Sequence, residues 1–258
     1  MVMLTNIIAV CTCICLVAIP SLLNIIFYPF SKKICVKISD YIVKRCAPGI
    51  FSILKVYKNF RCSYTREKDE KLPEQFLVIC NHQSLFDIPI FMTFFPELNV
   101  RFVAKDTLAR HIPLVSEMLR AHEHCMIPRT GGSGKAMKTI ENFGKRVVER
   151  KQIPVLFPEG TRSKDGTLRT FYSAGFRKLI ETTHLPVVVC AVDNGYKIND
   201  MKHLFENVSK INYKCKLLKV FPCPETKEEQ VKLLEDAKSL IQVQLDQWRE
   251  EDRKAIGK

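Results

Sequence analysis

Two short stretches of this chain bring together side chains that can move a proton and hold a phosphate. The first is Asn81-His82-Gln83-Ser84-Leu85-Phe86-Asp87, which follows directly on the apolar run Phe76 to Cys80. A strand ending there delivers an imidazole and a carboxylate to a strand end, where ligands of α/β sheets commonly bind. A carboxylate that accepts a hydrogen bond from one ring nitrogen fixes the tautomer and leaves the other nitrogen free to take a proton from an attacking hydroxyl. The other reading of the heptapeptide is that Asp87 only caps a helix beginning near Ile88 and Pro89, with His82 an ordinary satisfied polar residue. The second stretch is Phe157-Pro158-Glu159-Gly160-Thr161-Arg162-Ser163, which also leaves an apolar run. It gathers a glycine, two hydroxyls and a guanidinium. Arginine matches phosphate oxygens bidentately, glycine lets backbone N–H groups approach, and Glu159 could orient the arginine or bind a substrate hydroxyl. Taken alone, the same residues could form a turn with a surface ion pair.

The elements that would carry these motifs alternate. Apolar runs at Phe76–Cys80, Arg101–Ala104, His124–Ile127, Ile153–Phe157 and Pro186–Val192 read as strands. Between them Ala136, Met137, Ile140, Phe143, Val147 and Val148 recur at helical spacing, as do Phe176, Leu179 and Ile180. Ile211 to Val220 reads as a late strand, and the stripe Leu233, Leu234, Ala237, Leu240, Ile241, Leu245 and Trp248 as a closing amphipathic helix. The alternation predicts an α/β fold whose central sheet, mostly parallel or mixed, is flanked by helices. With 258 residues, 47% hydrophobic and 26% charged, the chain has the length and composition to bury a sizeable core, which excludes disordered and collagen-like classes.

The net charge of +13 calls for an anionic partner, and its distribution says which. Residues 1 to 31 contain no Asp, Glu, Lys or Arg, and 23 of the first 30 are hydrophobic. Such a run seeks lipid and is long enough to cross a bilayer. Pro20 leaves open a kinked span or two shorter helices lodged in one leaflet. The next residues carry Lys32, Lys33, Lys37, Lys44, Arg45, Lys55, Lys58 and Arg61 against Asp40 alone, an excess of seven positive charges beside the apolar run. That placement points to anionic headgroups on a cytoplasmic face rather than to nucleic acid, for which no base-reading motif is visible. The expected organisation is a membrane-anchoring segment over 1–62 and a catalytic domain over 63–258. The eleven cysteines contain no CxxC pair and read as reduced thiols packed as small hydrophobes. Two motif-like runs lack required residues. Gly131 to Lys135 lacks the outer glycine and following hydroxyl of a nucleotide loop, and His122-Glu123-His124-Cys125 has no second ligand pair nearby, so no metal is expected.

Together the two motifs resemble those of the glycerolipid acyltransferase family, and within it the 1-acylglycerol-3-phosphate acyltransferases. The family's NHxxxxD block is met by Asn81, His82 and Asp87, and its FPEGTRS block at every position from Phe157 to Ser163, over a resemblance extending from about Phe76 to Asn194. The resemblance implies that His82 is the general base and Asp87 its orienting acid. It also implies that Glu159, Gly160, Thr161 and Arg162 lie at the phosphate end of the acceptor, and that Lys105 is a further phosphate ligand. Cys125-Met126-Ile127-Pro128-Arg129 resembles the second block, with Arg129 helping to hold the glycerol phosphate, although Pro128 stands where an acidic residue is usual. The implied reaction moves a fatty acyl group from an acyl thioester, carried by coenzyme A or an acyl carrier protein, to the free hydroxyl of lysophosphatidic acid. It needs no cofactor beyond that co-substrate. A histidine base acting directly is preferred to an acyl-enzyme on Cys80 or Ser84. Glycerol 3-phosphate or another lysophospholipid as acceptor is the near alternative, and a non-catalytic binder of anionic lipid the distant one.

Overall fold

A computed structural model describes residues 2–66, 71–96, 98–106, 116–128 and 130–256. The chain opens with helix α1 (Val2–Phe27), followed by α2 (Lys32–Tyr41), a π-helical turn over Ile42–Cys46, and α3 (Ala47–Lys58). Strand β1 (Arg61–Thr65) then leads to β2 (Leu77–Cys80), α4 (Asp87–Phe94) and β3 (Val100–Lys105). After α5 (Ser116–Ala121) come β4 (Cys125–Ile127), α6 (Gly132–Glu149), β5 (Ile153–Leu156), α7 (Ser173–Thr183) and β6 (Val187–Asp193). Helix α8 (Met201–Asn207), β7 (Asn212–Phe221) and α9 (Lys227–Ile256) complete the described chain. The seven strands form one sheet in the order β1-β7-β6-β2-β5-β3-β4, parallel throughout except for the antiparallel β6–β7 pair. This is the mixed α/β sheet that the alternation of patterns implies.

The period of two along each strand builds the two layers. In β2 and the residue before it, Phe76, Val78 and Cys80 face one cluster with Ile90, Phe91, Phe102 and Phe157. Leu77 and Ile79 face another with Phe143, Phe176, Leu179, Leu245 and Trp248. The closing stripe on α9 is therefore core. Strand β1 has no counterpart in the sequence pattern. It is an edge strand whose residues are mostly exposed, so it carries no alternation to read, and its place comes from its parallel ladder with β7.

Helix α1 runs unbroken through Pro20, so the two-helix alternative for residues 1 to 31 does not hold. Proline removes the N–H that would bond the Leu16 carbonyl. The Cys46 thiol donates to that oxygen instead, at 3.4 Å, and Gly49 lets Leu16 approach so closely that a Cβ there would meet its Cδ2 at 2.7 Å. Val10–Phe27 has a mean hydropathy of 2.4, and this one helix is long and apolar enough to cross a membrane. Ile14, Ile19, Leu22 and Ile26 are each more than half exposed, an apolar surface that the rest of the chain leaves uncovered.

Candidate active site

The parallel strands β2, β3 and β5 end on the same edge of the sheet, and their C-terminal ends deliver His82, Lys105 and Phe157 to one cleft of about 380 Å³. Gly160, Thr161 and Arg162 line it too, with Leu85, Ile88, Ile127 and Pro128 supplying apolar wall. Ligands of α/β sheets gather at such an edge because the loops there are free to carry functional groups over a rigid base.

His82 Nδ1 donates to Asp87 Oδ2 at 2.5 Å, while the imidazole lies flat on the Phe157 ring, 4.1 Å between centroids. With Nδ1 engaged, Nε2 is the nitrogen left for a substrate proton, and the side chain is 15% exposed toward the cleft. Asp87 does not cap α4 as the alternative reading had it. It is the first residue of that helix, and its carboxylate turns back to accept the amides of Gln83 at 2.8 Å and Ser84 at 3.1 Å. Its other oxygen accepts from the Tyr213 hydroxyl on β7. The carboxylate is fully buried, and these donors supply the hydrogen bonds that a buried acid needs. Burial, and then the neighbouring carboxylate, hold the Tyr213 hydroxyl far above the ordinary tyrosine range, so it remains a donor.

The histidine loop is pinned on both sides. Asn81 exchanges two hydrogen bonds with the Val192 backbone, at 2.8 and 2.9 Å. Gln83 donates to Asp193 at 3.0 Å and accepts from the Gly195 amide at 3.0 Å. Gly195 is required for this packing, because a Cβ there would meet the Tyr213 hydroxyl at 2.9 Å.

Glu159, expected at the phosphate end of the acceptor, is buried beside Gly160 and does not itself line the cleft. It is 1% exposed and lies behind the cleft wall. One carboxylate oxygen accepts the His82 amide at 2.8 Å and the other the Arg169 amide at 2.9 Å. In return the Ser163 amide donates to the His82 carbonyl at 2.8 Å. The carboxylate thus ties the loop that carries Gly160 and Arg162 to the histidine loop through one backbone amide on each side. Burial raises its pKa, and the two amides oppose that rise. Gly160, next in line, has φ of +63°, a left-handed backbone that favours glycine and turns Thr161 and Arg162 into the cleft. Lys105 lies at the end of β3 on the cleft wall. Arg129 lies outside the described residues.

The two candidate nucleophiles are not on the cleft. Cys80 is fully buried, its thiol donates toward Asn81, and burial holds its pKa well above the usual thiol value. Ser84 is 1% exposed, and its hydroxyl is engaged with the Ile198 carbonyl and the Phe86 amide. Sequence reasoning missed Tyr213, Gln83 and Arg169. They act through backbone atoms or from a strand far along the chain, and no local spacing signals them.

Comparison with known proteins agrees with this geometry. The acyltransferase family model matches residues 63–193, which include the whole cleft. A 1-acyl-sn-glycerol-3-phosphate acyltransferase of Cocos nucifera is 35% identical over 112 residues, covering 43% of this chain and 35% of that protein. One from Helicobacter pylori is 29% identical over 128 residues, covering 50% of this chain and 52% of the relative. The chain thus spans between about a third and a half of the length of these relatives. The crystal structure of the 1-acyl-sn-glycerophosphate acyltransferase PlsC from Thermotoga maritima shares the fold, with a TM-score of 0.60 at 20% identity over 84% of this chain and 81% of that one. With its histidine and arginine loops bolted together at the sheet edge, and half its length matched by the family model, the chain belongs to the acyltransferase family.

Proposed function

We propose that this protein transfers a fatty acyl group from an acyl thioester to the free hydroxyl of lysophosphatidic acid, giving phosphatidic acid. The observation that carries the reading is the His82–Asp87 pair, its acid buried and its imidazole opening on the same cleft as Arg162 and Lys105. In such a cleft the acceptor's phosphate lies against the guanidinium and ammonium, which brings its hydroxyl within reach of Nε2. Nε2 takes the hydroxyl proton as the oxygen forms its bond to the thioester carbonyl carbon. The carbonyl π electrons move onto oxygen, and their return breaks the C–S bond. The departing thiolate takes back the proton from the imidazolium, whose charge the Asp87 carboxylate stabilises meanwhile. Histidine thus ends the cycle as it began. The burial of Cys80 and Ser84 supports direct transfer without an acyl-enzyme.

The apolar α1 and the cations that follow it support a membrane-bound enzyme that takes its amphiphilic acceptor from the bilayer, with residues 1–62 as the anchoring segment and the catalytic part on the cytoplasmic face. The test is a thioester-release assay on detergent-purified protein with a panel of acceptors. Lysophosphatidic acid should be preferred over glycerol 3-phosphate and over lysophospholipids with capped phosphates, and His82→Ala should lose roughly 10² to 10⁴ in rate. Activity surviving that substitution, or equal use of uncharged acceptors, would refute the assignment.

A further inference from the structure

At the opposite end of β3 from Lys105 lies a second cavity, of about 500 Å³, enclosed by Asp40, Lys44, Arg45, Pro48, Arg101 and His122 among others. Arg101, near the start of β3, is 7% exposed. Its Nη1 donates to the carbonyl of the preceding residue, Val100, at 2.9 Å, and its Nε has no partner. No carboxylate forms an ion pair with it among the described residues. Asp40 is committed to His122 Nε2 at 2.9 Å, and Glu123 is shared among Lys32, Arg146 and Arg150. The guanidinium is thus a buried cation without an ion-pair partner among the described residues, with Asp40 and Glu123 near enough to attract it but engaged elsewhere. Desolvation pushes it down to about 10; Asp40 and Glu123 pull against that fall, while Arg146 and Arg150 add to it. An uncompensated buried charge is costly unless something pairs with it. Lys44 and Arg45, both exposed, stand at the cavity wall on the π-helical turn, a wide turn often found at binding sites. Among the described lining residues, cations outnumber carboxylates three to one.

We propose that this cavity binds the phosphate of an anionic phospholipid headgroup, as a lipid site separate from the catalytic cleft. A lipid source is favoured over a soluble anion because the cavity wall belongs to the helices that pack directly on α1. Cys46 and Gly49 hold Leu16, and Ser39, next to Asp40, accepts from Asn24 at 3.0 Å. Helix α2 carries Asp40 at this cavity and, next to it, Tyr41 in an apolar groove against Ile19 and Leu23 of α1, so a lipid whose tails lie along that groove has its headgroup near the cavity. The proposal is independent of which acceptor the cleft uses.

The test is native mass spectrometry of the full chain released from phosphatidylcholine vesicles containing roughly one-fifth phosphatidylglycerol. The wild type and Arg162→Ala, which alters only the cleft, should each retain one phosphatidylglycerol in preference to phosphatidylcholine. Retention should fall by about tenfold or more in Arg101→Gln, as expected for a lost charge-assisted contact. It should fall likewise in Lys44→Gln/Arg45→Gln, whose surface positions leave folding intact. Unchanged retention in the rim double variant, loss of retention in Arg162→Ala, or displacement of the lipid by millimolar inorganic phosphate would each overturn the proposal, the last by making a soluble anion the occupant.

Discussion

If Glu159 fastens two loops together and touches no substrate, Glu159→Gln should damage stability and turnover together and leave acceptor affinity nearly alone. The amide can present one oxygen, so it keeps either the His82 or the Arg169 N–H and turns an NH₂ toward the other. A hydrogen bond to a charged acceptor is worth about 1.5 to 3 kcal/mol, and a buried N–H left facing a donor costs about 1 to 3 kcal/mol more. Against this stands relief from holding a carboxylate in a site whose burial raises its pKa. The net expectation is a loss of about 2 kcal/mol, or about 4–8 °C in Tm for a chain of this size. Freed from one side, the His82 loop samples poorer geometries, so kcat should fall at least about tenfold while KM for the acceptor changes by less than about threefold. Thermal melting and steady-state kinetics with varied acceptor measure the two quantities on one preparation. A raised KM with unchanged Tm and kcat would refute the brace and return Glu159 to the cleft as a substrate ligand.

Other perturbations separate the remaining roles. Tyr213→Phe removes a donor to the buried Asp87 carboxylate and should lower kcat by about 10- to 100-fold with little change in acceptor KM, the size of one hydrogen bond to a charge. An unaltered kcat in steady-state assays would show that the tyrosine does not position the acid. Arg162→Ala should act mainly on acceptor binding, weakening it by about 1.5 to 3 kcal/mol, read from KM for lysophosphatidic acid. Stability should also fall in mild acid. Burial lowers the pKa of both His122 and His124, so below about pH 6.5 the unfolded chain binds protons that the folded chain refuses, and each such site lowers stability by up to about 1.4 kcal/mol per pH unit. Melting curves from pH 7 to 5 should fall steeply for the wild type and less so for His124→Asn, whose side-chain oxygen can still accept the Phe102 amide that His124 Nδ1 accepts at 2.9 Å. Equal slopes would remove His124 from the account.

Much of the candidate site was legible because its signals are local. A strand that runs straight into a histidine, with an acid five positions on, brings its own partner back within one turn, so the His82–Asp87 pair follows from spacing. The parallel strands followed from apolar runs alternating with helical stripes. Strand β1 escaped notice because an exposed edge strand needs no alternation, and its hydrogen bonds come from a strand about 150 residues later.

Amino-acid order alone determined which groups could react: a histidine with a carboxylate five positions on, a guanidinium two positions after a glycine, and an apolar segment followed by cations. It could do so because covalent neighbours have few conformations in which to meet. Only the tertiary structure decided that Glu159 faces inward, that Tyr213 completes the shell around Asp87, and that Arg101 is buried with no ion-pair partner among the described residues. Those outcomes depend on which distant backbone amides and carboxylates share a low-dielectric space, and packing across the sheet sets that relation.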